Sequence, residues 1–274
     1  MPGHDAREEA LSTRPTTIER VAATASTNDD LLARVRAAAA AGAISFAPCL
    51  LVADRQSAGR GRHGRAWHAA PGRSLTFSLA WQPARGDLAG LSLAVGAVLA
   101  DTLEPPRETM RIGLKWPNDL WLVDTDADLP LRPGRKLAGI LVETAPLGAQ
   151  RVAVIGIGIN VNAQAVAGAA SGIASLDEID PGATPSSTLA RVAPALAVAL
   201  ERFDALGFAA FADRFAARDL LRGRAVAGAS GGVSGVAAGV SDDGALLVDT
   251  GAEVIAVTSG EWQLRLGEPA EPSC

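Results

Sequence analysis

The spacing of apolar and polar positions changes several times along the chain, and each change marks an element. Ser26-Thr27-Asn28-Asp29 has the composition of a helix start, with Ser26 and Asp29 in capping-box spacing. An alanine run follows and Gly42 closes it, which predicts a helix between them. Residues 47–53 form an apolar run that reads as a buried strand and leads into a loop, 54–73, rich in Gly, Arg and His. Leu75, Phe77, Leu79 and Trp81 then alternate with Thr76, Ser78 and Ala80, the period of a half-buried strand. Asp87 is placed to cap a helix reaching about residue 103. Four strand-like runs follow at 111–115, 120–123, 136–143 and 151–159. Their links are short, apart from the polar stretch 124–134, and short links favour antiparallel neighbours. Residues 185–218 read as helix, with Pro194 near the start and a break at Gly207. From 223 to 266 the chain turns to short β-segments with Asp243-Gly244 and Thr250-Gly251 as turn signals, the texture of a small separate β-barrel.

Composition narrows the function classes. At 274 residues the chain is one large domain or two unequal ones, and 48% hydrophobic content marks it as globular. The net charge of -5 argues against a whole-surface nucleic-acid footprint. Two distant cysteines, Cys49 and Cys274, are no disulfide framework and fit a reducing, cytoplasmic compartment. The polar start, 1–19, lacks the apolar core of a signal peptide, and the alanine run 37–41 is too short to span a bilayer. Only two lysines occur, Lys115 and Lys136, in a chain that otherwise writes its cations as arginine. A lysine is a compact point charge suited to a single phosphate or carboxylate oxygen.

Four segments can carry chemistry. In Arg55-Gln56-Ser57-Ala58-Gly59-Arg60-Gly61-Arg62-His63-Gly64-Arg65, three glycines let backbone amides approach a ligand, and four arginines concentrate positive charge. Such a loop can hold two anions together against their mutual repulsion; read alone, it is equally a solvated basic loop or an RNA contact. Lys115-Trp116-Pro117-Asn118-Asp119 pairs a cation with a turn, in which Pro117 restricts Trp116 to extended backbone. Its oxygens suit Mg²⁺ or loop hydrogen bonds, and its plainer reading is a strand-ending turn. In the run 135–143, Lys136 stands at the mouth of a buried strand and Gly139 leaves room for a flat ligand; the alternatives are an edge lysine and a bulge. Gly156-Ile157-Gly158-Ile159-Asn160 contains G-x-G, but Val161 takes the third glycine position of a dinucleotide fingerprint, so its glycines read as admitting a neighbouring ligand or sheet. Walker A, G-x-S-x-G and zinc spacings are absent from the sequence.

Taken in order, these segments resemble the biotin–protein ligase family. Ser26-Thr27-Asn28, residues 56–65 with Trp67, then 115–119, 135–143, 156–162, and Gly260-Glu261 with Leu264-Arg265 carry the likeness over about residues 20–266. The resemblance implies an α+β fold: a mixed, mainly antiparallel central sheet flanked by helices, similar to class II aminoacyl-tRNA synthetases, then a small C-terminal SH3-like β-barrel. It divides the chain into a flexible polar leader (1–19), a catalytic biotin- and ATP-binding domain (20–221), the small barrel (222–266) and a tail (267–274). The implied reaction joins biotin to AMP, then transfers biotin to a lysine of a biotin carboxyl carrier protein domain.

By the same resemblance, Ser26, Thr27 and Gln56 hydrogen-bond the ureido ring of biotin, with Asn28 in the same triplet. Arg60, Gly61 and Arg62 wrap the carboxylate and later the adenylate, and Gly59 and Gly139 also belong to the biotin site. Lys136 holds the carboxylate–phosphate junction, and Lys115 and Asn118 face the phosphates of ATP and their Mg²⁺, which travels with ATP rather than in a fixed protein site. Arg65, Trp67 and Asn160 complete the nucleotide side, and Lys136, Arg62 and Lys115 are the expected catalytic residues. Only 25 residues precede Ser26, so no DNA-binding unit is expected, and neither nucleic acid nor membrane is an expected partner of this monomer or homodimer. The acidic stretch 124–134 departs from the pattern. A lipoate–protein ligase is the nearest rival, and the three ureido-type partners tilt the choice to biotin. An RNA-binding protein using the Arg-Gly loop is the remote one; 4% aromatic content leaves it few stacking platforms.

Overall fold

In the computed structural model, which describes residues 17–106, 110–123, 134–163, 172–229, 233–260 and 262–264, the apolar runs pair into one large sheet. Its strands are β1 (Thr17–Val21), β2 (Cys49–Ala53), β3 (Ser74–Trp81), β4 (Ile112–Lys115), β5 (Asp119–Leu122), β6 (Arg135–Leu147) and β7 (Gln150–Asn160). They lie in the order β1-β2-β3-β7-β6-β5-β4. β1 and β2 run parallel and all other neighbours antiparallel, as the short links favour for β4–β5 and β6–β7. The helices are α1 (Thr27–Ala40), α2 (Leu91–Leu103), α3 (Pro185–Leu206) and the short α4 (Ala212–Ala216).

Side-chain alternation gives the sheet two buried faces. Leu50, Val52, Leu75, Phe77, Leu79, Ile155, Ile157 and Ile159 join α2 and α3 in the main core. On the other face Leu51, Ala80, Val152 and Val154 receive Leu31, Leu32 and Val35 of α1. Burying each of those three α1 side chains contributes about 1.5–3 kcal/mol. The exposed Arg34–Glu19 ion pair between α1 and β1 contributes about 0–1 kcal/mol. Apolar burial therefore decides where α1 sits.

Several expectations need correction. β3 is buried at all eight positions rather than half, because α1 covers the side that carries Thr76, Ser78 and Ala80. The leader ends earlier than expected: Thr17–Val21 is an edge strand, and residues 1–16 lie outside the described ones. Asp87 does not cap α2. Its Oδ1 accepts from Ala89 N in a turn, and the N-cap is Gly90 in the left-handed region. Pro194 lies in the middle of α3, and the helix ends at Gly207 with φ 68°. Residues 124–133 and the tail fall outside the described residues.

The C-terminal segment forms five antiparallel strands, β8 (Ala225–Gly228), β9 (Ser234–Val240), β10 (Leu246–Asp249), β11 (Val254–Val257) and β12 (Trp262–Leu264), ordered β11-β10-β9-β8-β12. No β11–β12 pairing closes them into a barrel among the described residues. The unit is not separate. Val226, Leu246, Val248 and Trp262 bury against the same core as α2 and α3. Among the described residues no helix is long and apolar enough to cross a membrane.

Arg218, after α4, is the main polar tie under this assembly. It donates to Asp101 Oδ1 at 2.9 Å, Glu104 Oε2 at 2.5 Å and the Ile112 carbonyl at 2.9 Å, with its side chain 15% exposed. Arg218→Ala leaves the partly buried Glu104 carboxylate without its cation and should cost roughly 2–3 kcal/mol. Urea denaturation checks this; an unchanged midpoint would show that the network adds nothing.

Candidate functional site

The α1 side of the sheet is apolar at one end and open at the other. Under the first turn of α1 and beyond it, the positions on this face become Ser78 on β3, Gly156 and Gly158 on β7, and Gly139 on β6, aligned across the strands. A Cβ at 156 would stand 2.4 Å from Asn28 Oδ1, and one at 158 would stand 2.3 Å from the Trp67 indole. Only glycine admits those neighbours, so the G-x-G of β7 is a floor and not a phosphate turn.

The N-terminus of α1 supplies one wall. Ser26 is its N-cap and accepts from Asp29 N at 3.4 Å. Residues after β1 continue beside those after β2: Thr24 N donates to Arg55 O, Ser57 N to Thr24 O and Ala58 N to Ala25 O. This extension seats Gln56 against α1, where its Oε1 accepts from Thr27 N at 2.8 Å. Thr27 Oγ1 lies 2.6 Å from Ser78 Oγ and 3.1 Å from Gln56 Oε1. Ser78 Oγ donates to Asn28 Oδ1 at 2.5 Å, and Asn28 Nδ2 donates to Glu143 Oε2 at 2.8 Å and Leu141 O at 3.4 Å. Ser26, Thr27 and Asn28 are all buried, so these bonds satisfy groups that would otherwise be costly.

The arginine–glycine loop is a small hairpin over the open end. Arg60 bridges to Ala66, Gly61 N donates to Arg65 O at 2.7 Å, and Trp67 N to Gly59 O at 2.8 Å. His63 and Gly64 turn it through the left-handed region. Arg60 pairs with Asp29 and lies 3.5 Å from both Glu143 oxygens. These pairs are exposed and contribute at most about 1 kcal/mol, so an incoming anion can displace them. Arg62 and Arg65 also have partners in the structure.

A bulge at Leu137, where β6 slips against β5, turns Lys136 toward the side that Gly139 faces. Lys136 Nζ meets Asp119 Oδ1 at 2.7 Å and stands 5.8 Å from the Trp67 ring, and its Cε and Nζ would lie 3.3 Å from a Cβ at 139. Trp67 is thus on the floor, between Gly158 and Lys136, with a buried Nε1 that has no hydrogen bond. Lys115 Nζ lies over the Trp121 ring at 4.9 Å. Asn118 is tied to β6, donating through Nδ2 to Ile140 O at 2.8 Å while its carbonyl accepts from Ile140 N. Asn160 is buried and donates to Lys136 O at 3.2 Å, so it braces Lys136 from beneath. The Trp116–Pro117 peptide is cis.

Ser26, Thr27, Asn28, Gln56, Gly59, Arg60, Gly61, Trp67, Lys136 and Gly139 therefore converge on one face. Lys115 and Asn118 flank it across β4 and β5. Sequence reasoning missed Ser78, Asp29, Asp119 and Glu143 as members of the site. The step from Asn28 to Asp29 at the helix start and the place of Asp119 in the same short segment as Lys115 were the signals available. Among the described residues no group of three or more His, Cys, Asp or Glu is arranged to hold a metal ion.

The site lies in an α+β domain whose central sheet is covered by α1 on one face and by α2 and α3 on the other, with polar groups and cations gathered over a glycine floor. Comparison makes the class specific. Residues 44–160 match the biotin/lipoate A/B protein ligase family, and residues 223–265 match the biotin protein ligase C-terminal domain. A biotin–[acetyl-CoA-carboxylase] ligase of Mycobacterium tuberculosis is 38% identical over 65% of this chain, which spans 57% of that protein's length. The enzyme of the same name from Paracoccus denitrificans is 34% identical over 64% of this chain and 75% of its own. The biotin protein ligase of Aquifex aeolicus, solved with biotin and ATP, superposes with a TM-score of 0.71 at 28% identity, covering 91% of this chain and 98% of that one. The chain belongs to the biotin/lipoate A/B protein ligase family.

The floor contact can be tested directly. Gly158→Ala should expel the Trp67 indole, red-shift tryptophan emission, and cost roughly 1–3 kcal/mol from overpacking. The spectral change should vanish in a Trp67→Phe background; identical emission with and without the alanine would contradict the contact.

Proposed function

We propose that this chain is an ATP-dependent biotin–protein ligase that forms biotinyl-5′-AMP and transfers biotin to a lysine of a biotin carboxyl carrier protein domain. The observation that carries the reading is one cleft with two ends. The Ser26, Thr27 and Gln56 end offers neutral hydrogen-bonding groups suited to a urea, and the Arg60 and Lys136 end offers positive charge. A ligand neutral at one end and anionic at the other fits that division. Lipoate has no ureido group and would leave the first end unpaired, which disfavours it strongly.

In the first step the biotin carboxylate attacks the α-phosphorus of ATP and pyrophosphate leaves. Two anions must meet, so fixed positive charge is the main requirement. Lys136 supplies it at the junction. Asp119 keeps its ammonium in place, and Arg60 and Arg62 cover the carboxylate from the loop. Lys115 and Asn118 flank the phosphate side. Lys115 and Asn118 would stand beside a Mg²⁺ carried by the phosphates of ATP, and Asp119 holds Lys136 at 2.7 Å. In the second step an acceptor lysine amine attacks the acyl carbon and AMP leaves with the electron pair of the anhydride bond. The loop hairpin shields the anhydride from water until then. ATP, biotin and the carrier domain are all encountered in the cytoplasm.

Purified protein should catalyse biotin-dependent pyrophosphate–ATP exchange. Exchange supported by lipoate alone would overturn the substrate, and exchange with neither acid would sink the reading. Lys136→Ala should lower the single-turnover adenylation rate about 10²-fold while changing biotin affinity little, because its charge acts where charge develops. An unchanged rate refutes that role. Arg62→Ala should release the adenylate faster into solution; release as slow as wild type would remove Arg62 from its retention.

A further inference from the structure

The buried polar chain behind the cleft has a direction, and its two ends set it. At one end Asn28 Nδ2 lies 2.8 Å from the Glu143 carboxylate and 3.4 Å from the Leu141 carbonyl. Both groups only accept, so the Asn28 amide must turn its NH₂ there and its oxygen toward Ser78. Asn28 Oδ1 then requires a donor, and the one proton of Ser78 Oγ, 2.5 Å away, is committed to it. The 2.6 Å contact between Ser78 and Thr27 hydroxyls still needs a proton, which must come from Thr27. At the other end the Thr27 backbone N–H can only donate, so Gln56 must turn its Oε1 to it at 2.8 Å.

This order leaves two groups for a ligand. The one Thr27 hydroxyl proton points inward, toward Ser78 Oγ at 2.6 Å with Gln56 Oε1 at 3.1 Å as its weaker second acceptor, so Thr27 Oγ1 offers a ligand lone pairs. Gln56 has turned its oxygen inward and offers Nε2, which donates to no partner among the described residues. An acceptor beside a donor is the complement of a cyclic urea edge, where an N–H adjoins a C=O. We propose that Glu143 and Ser78 are positioning residues that fix this acceptor–donor order and so select a ureido ligand. Neither touches the ligand. Glu143 works through Asn28, and Ser78 passes the direction on to Thr27. Gly156 is part of the device, because any side chain there would push Asn28 off Ser78. Glu143 also faces Arg60 at 3.5 Å, so the same carboxylate ties the neutral end of the cleft to the loop.

The inference rests on the biotin-ligase reading, and the test separates the two. Titration calorimetry with biotin would compare the wild-type chain with Glu143→Gln, Ser78→Ala and the double variant, with the KM for ATP measured in pyrophosphate exchange. Glu143→Gln preserves shape but offers Asn28 both a donor and an acceptor, so the order is lost. Each single variant should weaken biotin about tenfold or more while the KM for ATP stays within about twofold. The double variant should be no weaker than the weaker single, because both break one chain. If the wild type binds no biotin, the proposed function falls and this inference with it. If the wild type binds and both single variants match it, the inference alone is wrong. Additive losses, or equal loss toward biotin and ATP, would assign Glu143 and Ser78 a merely structural role and overturn it; thermal unfolding of each variant identifies that outcome independently.

Discussion

A sheet buried on both faces can hold a polar ligand only where its cover is interrupted. Here the interruption is made by three glycines, Gly139, Gly156 and Gly158, aligned across β6 and β7. Their missing side chains lower the floor by one residue's height, and Asn28 and Trp67 enter the space from opposite sides. Everything else in the cleft is arranged around that step. α1 ends its apolar contact there and presents its N-terminus, the loop after β2 folds over it, and Lys136 is swung toward it by a bulge. Without the glycines, the continuous isoleucine and valine pattern of β7 would make a second packed core and no site.

The electrostatics follow from an acidic chain that gathers cations in one place. Three cations of the cleft have a carboxylate or ring beside them: Arg60 has Asp29, Lys136 has Asp119, and Lys115 has the Trp121 face. Those partners are weak enough to yield and near enough to hold the cations in position. A preorganised cation costs little reorganisation when negative charge develops beside it, which is where electrostatic catalysis gains most.

What the sequence made legible follows a physical line. The Ser26 cap, the glycine-rich loop and the strand runs are local patterns, and each appears in the structure near its expected place. What stayed hidden depends on partners distant in sequence. β3 looks half-buried because its alternation is local chemistry, whereas its full burial comes from α1, some 50 residues upstream. Ser78 is an ordinary strand serine until α1 places Thr27 and Asn28 against it. β1 is short, polar-rich and at an edge, so TIERV carries almost no strand signal without its parallel partner β2. Likewise the C-terminal unit reads as separate from its turn signals alone, and only the shared core shows otherwise.

That shared core bears on the side of the cleft that carries Lys115 and Asn118. Trp116 Nε1 donates to Gly244 O at 2.9 Å, so a turn of the small unit grips the turn that carries Lys115 and Asn118. Gly244 has φ 82° and packs so close to Gly90 that a Cβ would stand 2.8 Å from its Cα. Ser92, on α2, donates to Pro117 O at 2.9 Å from the same side, and Asn118 is pinned to β6 beyond it. The 115–119 turn is therefore held by three elements, two of which also frame the main core. Its geometry cannot drift without disturbing either the small unit or β6. The small C-terminal unit thus braces the edge of the cleft that the 115–119 turn forms.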